Sequence, residues 1–128
     1  HVGVCWITSS ALIKQVGGLS SKLNIAEDVD YDIRVQIAGY DIIVDKEADA
    51  FHESRLDGGV NEGLTDLQRN ARTANDYLRT LSYRYPGVVS IGNDGRLWFH
   101  DNVLRHYNLL YDVGRIVLDS ENGMIWQP

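Results

Sequence analysis

The amino-acid sequence predicts an α/β fold, and three observations carry that expectation. Strand-like and helix-like segments alternate over the first 60 residues. A long amphipathic helix occupies the middle of the chain. Two apolar segments folded about Gly-containing turns follow it, and with these counted the class becomes α+β.

In order, Val2 to Ile7 reads as a short strand. Thr8, Ser9 and Ser10 then offer capping hydroxyls to a short helix from Ala11 to Val16, which Gly17 and Gly18 stop. Leu19 to Ala26 has no period and reads as a loop. Val29, Ile33 and Ile37 recur every four residues and predict a helix ended by Gly39, with Asp28 and Asp30 at its N-terminus. Tyr40 to Val44 reads as a strand, and Ala48 to His52 as a second extended segment leading to a Gly58-Gly59 loop. The strongest period is Leu67, Ala71, Ala74, Leu78, Leu81 and Tyr85, one apolar stripe on a helix started by a Thr65/Gln68 capping box and ended by Pro86-Gly87. Arg69, Arg72 and Arg79 share another face with Asp76, predicting a salt-bridged, solvated surface. Val88 to Ile91 and Arg96 to Phe99 predict one hairpin, Arg115 to Leu118 and Met124 to Trp126 another, joined by a short helix from Val103 to Tyr111. The hairpins echo each other at an offset of 28 residues, too few copies for a repeat architecture. Trp98 and Trp126 are expected to pack, with a sugar-stacking platform as the alternative.

At 128 residues, 44% hydrophobic and 23% charged, the chain has the size and composition of one soluble globular domain. No run approaches the ~18 apolar residues of a membrane span, and no export signal is visible at the N-terminus. Eighteen acidic against twelve basic residues give a net charge of −6, the wrong sign for a nucleic-acid partner. The lone Cys5 excludes an intrachain disulfide and, in the apolar run from Val4 to Ile7, reads as a packed thiol.

The chemistry concentrates in Glu27, Asp28, Asp30 and Asp32, four carboxylates within six residues that repel unless a cation, a helix terminus or solvent relieves them. An EF-hand loop begun at Asp28 fails, because Ile33 and Gly39 stand where Gly and Glu are required. An aspartyl-phosphate phosphotransferase fails as well, since Asp32 stands where Thr is needed. Alone, such a stretch is a charged helix start favoured by the macrodipole.

Its neighbours alter that reading. Gly3-Val4-Cys5-Trp6-Ile7, Ala11 to Leu19 with Gly17-Gly18, Glu27-Asp28-Val29-Asp30-Tyr31-Asp32-Ile33-Arg34, Ala38-Gly39-Tyr40 and His52 follow in order. Together, over roughly residues 2–56, they resemble the second half of the family 2 glycosyltransferases. Leu19-Ser20-Ser21 departs from the family, which commonly has Phe and then an acidic residue there. The resemblance implies a GT-A fold, a Rossmann-like mixed sheet with flanking helices, followed by a helical and β-hairpin extension. Residues 1–60 would be its acceptor-side half and residues 61–128 the extension.

It further implies an inverting transfer of a sugar from a nucleotide-sugar donor to an acceptor hydroxyl. Asp28 matches the general base, Glu27 its neighbour, and His52 a ligand of the catalytic Mn²⁺ or Mg²⁺, while Asp30 and Arg34 would support the site. Arg34 also reads as a structural partner of the acidic cluster, one turn along the helix. His100 and His106 match nothing and read as structural. The donor-binding half, with its Asp-x-Asp, is expected before His1, and the enzyme is expected in the cytoplasm or at the cytoplasmic face of a membrane. The rival expectation is a non-catalytic binding or assembly module that keeps the scaffold, with the Trp-bearing hairpins as its contact surface.

Overall fold

The Ser9 hydroxyl accepts the Leu12 amide at 3.1 Å and starts α1, Ser10–Val16, as the capping pattern predicts. Gly17, at φ 84°, closes it by donating to the Ile13 carbonyl at 2.8 Å. A side chain at Gly17 would stand 2.5 Å from the Ser120 amide nitrogen, so glycine also lets the far hairpin approach. The computed structural model describes residues 5–51 and 63–128.

Helix α2, Glu27–Ile37, buries Tyr31, Ile33, Val35 and Ile37 and ends at Gly39, at φ 94°. Helix α3, Asp66–Ala74, begins with both halves of the Thr65/Gln68 capping box. It runs directly into a π-helical segment, Asn75–Leu81, and a last turn α4, Ser82–Arg84. Strands β1, Val89–Ile91, and β2, Leu97–Phe99, pair antiparallel with Ser90 opposite Trp98. Helix α5 is Asp101–Asp112. Strands β3, Ile116–Asp119, and β4, Gly123–Trp126, form the second antiparallel pair, with Leu118 opposite Met124. The core joins Val16 of α1, Ile33 and Ile37 of α2, Leu81, Tyr85, Val88, Leu104 and Tyr107 of α5, and Ile116.

The expected GT-A mixed sheet is not what forms. The sheets of the described residues are two separate antiparallel hairpins, with no parallel Rossmann-like sheet. A strand needs a neighbour to take up its backbone groups, and among the described residues none lies beside the two apolar segments that read as strands. The described part of Val2 to Ile7 is irregular, and Tyr40 to Val44 is not a strand either. Their apolar side chains stay out, Ile7 97%, Ile43 87% and Val44 74% exposed. The chain at Ala48 to Phe51 is likewise without strand structure, and Cys5 is exposed rather than packed.

The long helix departs from its expected stripe for a specific reason. The π-helical segment widens the turn, so the inward positions after α3 are Asp76 and Leu81, five residues apart, then Arg84 and Tyr85. Leu78 of the expected stripe is therefore solvent-facing and Asp76 leaves the arginine face to turn inward, while Leu67 lies on α3, which buries none of its residues. Trp98 and Trp126 are both 58% exposed. The first hairpin packs through Val89, on the face opposite Trp98, while Trp126 stands across from buried Ile116 at the open edge of the face that the second hairpin packs through Ile116, Leu118 and Met124.

Candidate functional site

Helix α2 starts at Ala26, which has no capping side chain. The π-helical segment supplies one: Asp76 Oδ2 accepts the backbone amides of Asn24, Ile25 and Ala26 at 2.8, 2.7 and 3.1 Å. A buried carboxylate from another element therefore satisfies the approach to α2 and fixes where its first turn begins.

That first turn carries the acidic cluster, and the structure divides it. Asp30 points into the core with no exposed surface. Its Oδ1 accepts the Tyr85 hydroxyl at 2.7 Å and Arg84 Nη1 at 3.0 Å, and its Oδ2 accepts Arg34 Nη2 at 3.0 Å. Arg34, also wholly buried, donates to the Val16 and Gly18 carbonyls, which ties α1 and its Gly-Gly stop to α2. Arg84 donates to Ser20 Oγ at 3.0 Å and to the Ser120 and Glu121 carbonyls, which brings in the β3–β4 turn. Burial and the Asp30 carboxylate hold the Tyr85 hydroxyl well above its ordinary pKa, so it remains a donor. The partnership expected between Arg34 and the acidic cluster is present, and its target is Asp30. Both residues therefore act as structure beneath the site.

Glu27, Asp28 and Asp32 remain half-buried around the same turn. Asp28 Oδ1 accepts the Val29 amide at 2.8 Å, and Glu27 Oε2 is buried with no hydrogen-bond partner among the described residues. Burial, and then the negative charge of Asp28 one turn away, push the Asp32 carboxyl up from 3.8 to about 6. Tyr77, on the π-helical segment, faces this group: burial first, then Asp28, Asp76 and Glu27, raise its hydroxyl pKa. One helix turn thus brings Asp28 and an Asp32 carboxyl of raised pKa beside a phenol, groups suited to general acid–base chemistry.

Sequence reasoning placed Asp28 and Asp30 at the helix start, where the first turn holds them together with Glu27. It counted Asp32 in the acidic cluster without giving it a role, although its spacing of four from Asp28 was the available signal, and it missed Tyr77, which only the π-helical turn brings over. His52 lies outside the described residues. Among the described residues no group of three or more His, Cys, Asp or Glu could hold a metal ion. Nor is any helix there long and apolar enough to cross a membrane. His100 Nε2 pairs with Ser90 Oγ at 2.8 Å across the first hairpin, while His106 is exposed on α5 beside Tyr107. No family model, curated protein or solved structure matches the chain.

Proposed function

We propose that this chain supplies the general base of an inverting glycosyl transfer, with Asp28 accepting the proton of the acceptor hydroxyl. The supporting observation is the Asp28/Asp32 pair, one turn apart on α2, standing on a buried platform of Asp30, Arg34, Arg84 and Tyr85. An alcohol attacks an anomeric carbon poorly until a positioned carboxylate takes its proton as the new bond forms. The platform holds α2, and hence Asp28, against side-chain drift, and a fixed position is what general-base catalysis needs. Asp32, one turn away with its carboxyl raised to about 6, is mostly ionised at neutral pH and adds negative charge beside the base. As the acceptor oxygen bonds to the anomeric carbon, the bond from that carbon to the diphosphate breaks and the nucleoside diphosphate departs. The divalent-ion role rests on His52.

The reading stands on the site and on the resemblance of residues 2–56 to family 2 glycosyltransferases, without the GT-A sheet that resemblance implied. The test is the anomeric configuration of the product. The native protein that carries residues 1–128, given an α-linked nucleotide sugar and a hydroxyl acceptor, should yield a β-glycoside by proton NMR. An α-glycoside, or no turnover across a panel of nucleotide sugars with Mn²⁺ and Mg²⁺, would end the proposal.

A further inference from the structure

An open groove of about 970 Å³ runs between the π-helical segment with α4 and the β3–β4 hairpin. That is the upper end of the ~300–1,000 Å³ typical of small-molecule sites. Its position is fixed from below. Arg84 lines the groove and is held by Asp30, Ser20 Oγ and two carbonyls of the hairpin turn. Gly123, at φ 75°, lies so close over Tyr85 that a Cβ would stand 2.7 Å from its hydroxyl oxygen. The walls of the groove are therefore held in place relative to each other.

Its lining has a definite chemistry. Tyr83 and Trp126, from different elements, both line the groove and are 88% and 58% exposed. A single exposed aromatic needs no explanation, but two along one groove form apolar faces with polar tips. Lys22 and Arg79 add exposed cations, and the Asn122 amide can both donate and accept. Arg84 shares the one Asp30 carboxylate with Arg34, and with Lys22 and Arg79 set against Glu121 the lining carries a local excess of at least one positive charge. The chain as a whole carries −6, so this local excess has the opposite sign.

We infer that this groove is a carbohydrate site for an acidic oligosaccharide. The C–H faces of the sugar rings lie on Trp126 and Tyr83, hydroxyls pair with the amide, and a carboxylate meets Lys22 and Arg79. The binding stands apart from the transfer reaction; that the groove holds the acceptor, making it an acidic glycan, rests on the proposed function.

The full chain, ¹⁵N-labelled, is titrated with trigalacturonate, and with maltotriose and triglutamate as neutral-sugar and acidic-peptide comparisons. Trigalacturonate should shift the Trp126 indole N–H and the Lys22 and Arg79 amides. Trp126→Ala and the Lys22→Gln/Arg79→Gln pair should each weaken it by about tenfold or more, as should removal of the acid in maltotriose. All three positions are exposed, so the variants should melt with the parent. The titration contains no nucleotide sugar and reads binding alone, so its failure is distinguishable from failure of the base assignment, which turnover reads. Shifts mapping elsewhere, parent-like binding by Trp126→Ala, or equal binding of maltotriose or triglutamate would overturn the inference.

Discussion

Asp30→Asn keeps the shape of the side chain and removes its charge, which makes it the sharpest test of the platform under the acidic turn. In the parent, one buried carboxylate accepts from two buried guanidiniums and a buried phenol, at 3.0, 3.0 and 2.7 Å. With Asn, Arg34 and Arg84 keep their positive charges in a site that water does not reach, and one amide oxygen must serve three donors. Breaking a buried ion pair by removing one partner costs ~3–5 kcal/mol, most of it the desolvation of the charge left behind. At about 4 °C per kcal/mol for a chain of this length, the melting temperature should fall by ~12–20 °C. The assay is calorimetry with a parallel urea titration, where the midpoint should drop while the slope is unchanged. The pair Arg34→Met/Arg84→Met with Asp30→Leu removes every charge together, and should recover at least half of the loss. A loss below ~1 kcal/mol in Asp30→Asn would refute the reasoning, because surface pairs have that magnitude.

Asp76→Ala strips a buried carboxylate from three amides ahead of α2 and should destabilise by ~2–3 kcal/mol, with hydrogen exchange quickening first at residues 24–26. Asp32 binds protons more tightly folded than unfolded, so its contribution to stability falls as pH rises from 3.8 to about 6. Asp32→Asn should therefore stabilise at pH 7, by on the order of 1 kcal/mol after allowance for partial solvent exposure, and the gain should shrink to nothing near pH 4 in acid melts. In the native protein, His52→Ala should raise the Mn²⁺ concentration for half-maximal turnover, and excess Mn²⁺ should restore part of the rate. Identical metal curves would remove His52 from the site.

Local signals made much of the fold legible. Ser9, the Thr65/Gln68 box, Gly39 and Pro86-Gly87 mark helix ends by hydrogen bonds and dihedrals formed within a few residues, and both hairpins announce themselves through their turns. What failed depends on distant partners. The described residues 5–7 of the first apolar segment, and Tyr40 to Val44, have strand composition, but pairing requires an adjacent edge, which composition does not report. The π-helical turn is a one-residue change of phase that the 4-3 spacing of Leu67 to Leu78 conceals. Arg84 reaches Asp30 across 54 positions, so no spacing in either segment shows that Asp30 turns into the core while Asp28 stays half-buried.

The central claim is that Asp28 is the proton acceptor, and turnover of Asp28→Asn measures it most directly. In the native protein, at saturating nucleotide sugar and pH 7.5, the account expects kcat to fall by ~10²–10⁴ with donor affinity and melting temperature close to the parent's. A kcat within a few-fold of the parent, a difference of ~1 kcal/mol or less in barrier, would contradict it and leave Asp28 as a charged helix start.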